Sequence, residues 1–513
     1  MYTNELRLSP ERKIYSFRFR SFIRRINPYS IKQAKRKYSM LEFYYKFHNK
    51  KFKIKSEELA NEIEKILINE NLTVIESSDN HIPLGYKSLL GDSLFRRLSN
   101  IYYTIRQNDG KNHFLLKKYL PEKKRKPRSA NQFADFFSGA GGLSQGLINA
   151  GFQPVFVNDN YTDALETYYF NHSLPLNQFY NGDIRKLVEN FSQYKHLFKG
   201  VKIICGGPPC QGFSTANRQN FEVEETTKQK RFIEDERNVL YKYFVKLIGL
   251  IQPDYFIMEN VKGMMRVEKQ IEEDIQRETN HEYSFIPLEL DAQNFDIPQS
   301  RKRYILIGGK NFMFIEQIKK NIYSKKNGTS KYKLADALYG LPGIKTNPYK
   351  LNPDYESEVH GYAIRKLKLE QNKFLKEING SKEMNYLFNH KSRYNNDNDL
   401  EIFRTLPEGE NSLHPSVQKL SNYNNRNHIF KDKYYKLKRN EVSKTITSHM
   451  KYDCHMYIHP DQARGLSPRE AARIQTFPDD YVFRGSLNDW YKQIGNAVPV
   501  KMAQVIAQEL KKF

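Results

Sequence analysis

Between residues 133 and 310 the chain alternates short apolar runs with polar turns, and several of these runs stop on residues able to do chemistry. The run ending in Asp135-Phe136 opens through Phe137-Ser138-Gly139-Ala140-Gly141-Gly142 into a helix whose Leu143, Leu147 and Ile148 share one face. A second strand, Phe156-Val157-Asn158-Asp159, ends in a carboxylate, and Gly182-Asp183-Ile184 supplies a further acidic turn. Val201–Cys205, Tyr255–Met258 and Tyr304–Ile307 read as three more strands. Together these predict an α/β fold with its site at the carboxyl ends of the strands. Outside this region the pattern changes. Leu59, Ile63, Ile66 and Leu67 recur at helical spacing within Ser56–Asn71, which predicts a small, mostly helical module over residues 1–130, including a proline-bounded linker, Pro121–Arg128. Residues 311–440 lose the strand pattern and become rich in Asn, Lys and Tyr, as in a second lobe or an insertion. Near the carboxyl terminus Met502, Val505 and Ile506 mark one core-facing helix.

Composition narrows the partner. A chain of 513 residues has room for several domains, and its formal charge of +25 favours polyanions through counterion release. Residues 1–130 hold 29 Lys+Arg against 13 Asp+Glu, or 29 − 13 = +16 of that excess. Cys205, Cys210 and Cys454 have no metal-ligand spacing and form no disulfide framework. No apolar run approaches the roughly 20 residues that span a bilayer. The expectation is a cytoplasmic protein that binds nucleic acid, with no metal and no membrane partner.

Cys210 follows two prolines in Gly206-Gly207-Pro208-Pro209-Cys210-Gln211-Gly212, a rigidly entered turn after a buried strand. Such a thiol is the best nucleophile candidate, able to add to an electron-poor carbon once a nearby acid activates the electrophile. Glu259, at the end of Tyr255–Met258 and followed by Asn260-Val261, supplies that acid. Arg301 and Arg303 precede the next strand and would share one face if extended, suiting an anionic substrate. The glycine loop lacks a Lys-Ser/Thr pair and G-x-G-x-x-G spacing, so a nucleoside without pyrophosphate fits it best.

Taken in order, these elements resemble the DNA (cytosine-5) methyltransferase family over residues 133–310 and 441–513. The resemblance implies a Rossmann-like α/β core that binds S-adenosylmethionine, a smaller target-recognition lobe, and the basic helical module in front. The expected division is 1–130, a catalytic core at 131–310, a recognition lobe at 311–464, and elements returning to the core at 465–513. By resemblance, Phe137, Gly139, Gly141, Gly142, Asp159, Asp183, Asn496 and Val498 hold the cofactor. Cys210 becomes the nucleophile, and Glu259, Arg301 and Arg303 complete the catalytic set. Arg469–Pro478 resembles the helix that braces the recognition lobe, and Gln493–Pro499 the closing element. Asp159 stands where the family usually has glutamate, and Asp296 where glycine is common. The implied activity is methyl transfer to C5 of a flipped cytosine in duplex DNA, in a bacterial restriction-modification setting with a cognate endonuclease as partner. Methylation of tRNA and a non-catalytic DNA-binding regulator are the alternatives.

Overall fold

The computed structural model describes residues 131–172, 174, 178–209, 240–350, 352–353, 355–420 and 433–513. The expected amino-terminal module, its linker and Cys210 itself lie outside these residues. Lys126–Ala164 and Gln178–Phe513 form one compact unit, which carries the sheet and the site. Leu165–Asn177 falls in a second unit; in it Tyr168 and His172 pack ring to ring at 4.4 Å.

Seven strands form the main sheet: β1 Gln132–Phe136, β2 Gln153–Asp159, β3 Phe179–Asn181, β4 Val201–Gly206, β5 Tyr255–Asn260, β6 Ser284–Asp291 and β7 Lys302–Gly309. Their order is β3-β2-β1-β4-β5-β7-β6, with β7 antiparallel to both neighbours and the other pairs parallel. Because side chains alternate across a strand, each central strand supplies both faces. Phe133, Ile203, Ile257 and Ile305 join one core; Ala134, Ile204, Phe256 and Leu306 join the other. Against the first face pack α1 Gly142–Asn149 and, later in the chain, the helices Phe312–Ser324 and Val500–Leu510. Leu240–Ile251 and Glu268–Glu278 cover the second.

The apolar strands sit where the sequence pattern predicts, each extended by one to four residues. β6 escapes that reading because Pro287 interrupts it. A proline donates no ladder hydrogen bond and is tolerated here because β6 is an outer strand of the described sheet. Residues 311–440 do contain strands, contrary to expectation: β8 Gly361–Lys366 pairs antiparallel with β9 Tyr386–Lys391. Each mixes a short apolar pair, Ala363-Ile364 or Leu387-Phe388, with charged and polar residues, and β9 is buried against the rest of the unit, its Asn389, His390 and Lys391 included.

The helix Pro468–Ile474 opens with a Ser467–Glu470 capping box and Pro468 in its first turn. Arg469, fully buried, donates to the carbonyls of Phe388 in β9, Pro478 and Tyr481 at 2.6–3.0 Å. Arg473 pairs with Asp479 at 2.7 Å, and Asp479 exchanges hydrogen bonds with Asn379. No helix among the described residues is long and apolar enough to cross a membrane.

α1 and Val500–Leu510 touch backbone to backbone at Gly146. A Cβ there would lie 2.4 Å from Ala503 Cβ and 2.6 Å from Val500 O. Gly146→Ala gains up to about 1 kcal/mol of helix propensity but forces the two helices apart at a cost of about 1–3 kcal/mol, so the clash wins. The expected result is a lower urea midpoint for Gly146→Ala than for the parent chain at unchanged slope; an equal or higher midpoint would contradict this packing.

Candidate functional site

The carboxyl ends of β2, β1, β4 and β5 lie side by side, with Phe136 in register with Asn158 and Gly206, and Gly206 with Met258. Each end carries one part of the candidate site. After β1 the loop turns through left-handed backbone at Phe137, Gly139 and Gly141 (φ 55°, 53° and 82°). Glycine adopts that region freely, whereas Phe137 is strained there, a cost typical of ligand-binding loops. Ser138 N donates to Asn158 O at 3.0 Å and Gly139 N to Asp159 Oδ2 at 2.7 Å, so the loop is fastened to the end of β2. The Tyr481 hydroxyl donates to Ala140 O from the other side.

Gly142 admits no side chain, because a Cβ would lie 2.6 Å from Val498 O and 2.9 Å from Ala497 Cβ. The closing element therefore does return beside the glycine loop. Val498 is buried there, while Asn496 ends its helix exposed. A Cβ on Gly139 would meet open space.

Asp159 accepts from two backbone amides, Gly139 N on Oδ2 and Tyr161 N on Oδ1, both at 2.7 Å. Burial raises its pKa against the effect of those amides and of Lys492. Asp183 caps the helix Ile184–Glu189 by accepting from Arg185 N, and the Arg185 guanidinium, 2.7 Å away, holds its carboxyl below the usual range. Asn158 Nδ2 bridges the carbonyls of Tyr180 and Gly182, which fixes this acidic turn against β2. Two carboxylates and the amides of a loop with open space form a donor and acceptor set that suits a nucleoside's hydroxyls and exocyclic amine, so these residues fit S-adenosylmethionine.

At the other half of the site β4 leads into Gly207-Pro208-Pro209, the stem of the Cys210 turn. A Cβ on Gly207 would lie 3.0 Å from Glu259 Oε2, so the carboxylate rests directly on that stem. Asn260 Nδ2 donates to Pro208 O at 3.0 Å. Arg303 Nε meets Glu259 Oε1 at 2.8 Å, with both side chains largely buried. Burial lowers the Arg303 pKa against the pull of Glu259. Cys205, the penultimate residue of β4, is fully buried, and burial together with Asp135 pushes its thiol well up, so it is no rival nucleophile.

Arg301 differs from Arg303. Its side chain is 1% exposed and donates to Ile446 O at 2.5 Å, Gly495 O at 3.1 Å and Ala497 O at 2.9 Å. The two arginines share a stretch of chain, but only Arg303 meets Glu259 in an ion pair. Gln299 works beside Arg301, accepting from Ile446 N and donating to Gln475 Oε1, both at 2.8 Å. Asp296 keeps the left-handed backbone that favours glycine, φ 57°, and pairs with Lys331 at 3.0 Å. Sequence reading missed the tasks of Asn260 and Asp135. Asn260 was visible in its motif, but its bond to Pro208 was not.

Three comparisons bear on this arrangement. The family model for C-5 cytosine-specific DNA methylase matches residues 131–512. The type II methyltransferase M1.HphI of Haemophilus parahaemolyticus is 29% identical over 387 residues, covering 74% of this chain and 87% of the relative. M.DdeI, a type II methyltransferase of Desulfomicrobium norvegicum, is 29% identical over 399 residues, covering 73% and 87%. A solved E. coli structure, described as a DNA modification methyltransferase encoded within a prophage, superposes with a TM-score of 0.55 at 26% identity, covering 74% of this chain and 98% of its own.

Beneath the glycine loop Asp135, 1% exposed, accepts from Ser144 Oγ at 2.5 Å. Burial raises its pKa to about 7. A carboxyl whose folded value exceeds its unfolded one binds its proton more tightly when folded, so stability falls as pH rises from about 4 to 7. Asp135→Asn keeps the acceptor and removes the titration. Between pH 5 and 8 the parent should lose roughly 2–3 kcal/mol more than Asp135→Asn in denaturant titrations; parallel pH profiles would show that Asp135 is ionised throughout.

Proposed function

Because the chain belongs to the C-5 cytosine-specific DNA methylase family, we propose that it methylates C5 of a flipped cytosine within a specific duplex sequence, through a covalent adduct of Cys210 with C6. The observation that carries this reading is the placement of the Glu259 carboxylate on the Gly207-Pro208-Pro209 stem, with Arg303 against its other oxygen. That contact supports the reading of Glu259 as an acid near the segment that leads to Cys210. In this reading the Cys210 thiolate adds to cytosine C6 while Glu259 hydrogen-bonds or protonates N3, which makes C5 nucleophilic. Once C5 has taken the methyl group that a bound donor would supply, a base removes the C5 proton, the thiolate is expelled and the N3 proton returns to Glu259. The target base must leave the duplex to reach this depth, at a cost of roughly a few kcal/mol.

Phe137, Gly139, Gly141, Gly142, Asp159, Asp183, Asn496 and Val498 would hold S-adenosylmethionine, which supplies an electrophilic sulfonium methyl group when bound. Arg303 orients Glu259, and Arg301 acts at one remove, by fixing the segments around Ile446 and Gly495–Ala497. The division into core, recognition lobe and returning elements at 131–310, 311–464 and 465–513 is part of the same reading. So is a restriction-modification role with a cognate endonuclease, supported by relatives that carry type II methyltransferase names.

Cys210→Ser should abolish methyl transfer to duplex DNA while S-adenosylmethionine still binds; turnover by this variant would remove the nucleophile assignment. Glu259→Gln should slow single-turnover methylation by about 10²–10⁴-fold, the range for loss of a positioned acid. Its DNA affinity should hold, and an unchanged rate would exclude the acid role.

A further inference from the structure

Tyr161 lies two residues after Asp159 and meets a helix more than 300 residues away in the chain. Its backbone amide holds Asp159 Oδ1 at 2.7 Å, while its hydroxyl donates to Asp489 Oδ1 at 2.5 Å. Lys492 Nζ lies 3.4 Å from the centre of the Tyr161 ring, a close cation–π contact. Asp489 and Lys492 are three residues apart on Leu487–Asn496 and so project from neighbouring positions on one face.

Asp489 is itself fixed in place. Its other oxygen accepts from Ser486 N at 2.6 Å and closes a capping box, and a Cβ on Gly485 (φ +106°) would lie 2.6 Å from Asp489 Cβ. The far end of the same helix supplies Gly495 O to Arg301 and runs on to Ala497 and Val498, beside the glycine loop. Tyr161 thus links Asp159 at one end of the candidate cofactor site to the helix that leads into the other end.

An ionised carboxylate offers about four acceptor sites, and the Gly139 and Tyr161 amides occupy one on each oxygen of Asp159. The remaining sites can face a pair of hydroxyls only while both amides stay in place. With the side chain shorter than glutamate by one methylene, it has less reach with which to correct a displaced turn.

We propose that Tyr161, Asp489 and Lys492 are positioning residues for the methyl donor, a latch that aims Asp159 at the donor's ribose and ties this aim to the closing helix. The inference rests on the reading of Asp159 as the acid that meets that ribose. It concerns donor affinity and not the reaction at cytosine.

The test uses the full chain, with S-adenosylmethionine affinity measured by equilibrium dialysis and steady-state rates on duplex DNA. Tyr161→Phe removes the hydroxyl and keeps the ring; Lys492→Met removes the cation at similar length; Lys492→Arg restores a cation. Tyr161→Phe should weaken donor binding about tenfold, the loss of one hydrogen bond to a charged acceptor. Lys492→Met should weaken it about three- to fivefold, the exposed-site range for a cation–π contact. In both, KM for the donor should rise with little change in kcat, and Lys492→Arg should recover most of the loss. Donor affinity equal to the parent's in Tyr161→Phe and Lys492→Met, or a fall in kcat with KM unchanged, would overturn the latch. If Tyr161→Phe does not fold, the Lys492 pair decides alone. A parent chain that fails to bind S-adenosylmethionine would instead refute the functional reading itself.

Discussion

A guanidinium without water needs acceptors, and the buried Arg301 finds three of them on backbone that the chain reaches only much later. Leaving a charge buried and unpaired costs several kcal/mol, so once Arg301 is enclosed, Ile446, Gly495 and Ala497 must present their carbonyls to it. Gln299 repeats the demand at lower charge, through Ile446 N and Gln475. One residue past Arg301 the chain enters β7, and there Arg303 meets the Glu259 carboxylate. One short stretch at the start of β7 therefore both gathers the distant segments and steadies the proposed acid. An arginine suits the task better than a lysine, since its planar fork serves several carbonyls at once and keeps its charge when buried.

Much of this was legible in the order of residues. Strands that alternate between two apolar faces must be buried on both, which is why β1, β4, β5 and β7 could be read from short runs such as Ile203-Ile204 and Ile305-Leu306. Glu259, Asp159 and the glycine loop were found because they end such strands. Strands without that pattern were lost: β8 and β9 hold only an apolar pair each among Tyr, Arg, Lys, Asn and His, and Pro287 disguised β6. Spacing could place Arg301 and Arg303 together but could not distinguish their partners, since that depends on which carbonyls return from beyond residue 440. The pairing of Tyr161 with Asp489 spans 328 positions and leaves no local trace.

Burial also sorts the acidic and thiol groups by what they can do. Asp135 sits under the glycine loop and Cys205 near the end of β4, where desolvation favours their uncharged forms. Asp183, by contrast, is partly exposed and held charged by Arg185. Two aspartates of one site thus differ: burial favours the neutral form of Asp135, while Arg185 favours the charged form of Asp183.

The outer strands of the sheet carry a further consequence. A long, flat border strand invites another polypeptide to add to it, yet β3 spans three residues and β6 has Pro287 in mid-strand. The first border is too brief to template a newcomer, and the second lacks one amide from its row. Both borders of the described sheet are thereby poor seeds for fibrous stacking, a safeguard for a sheet whose middle strands are largely apolar.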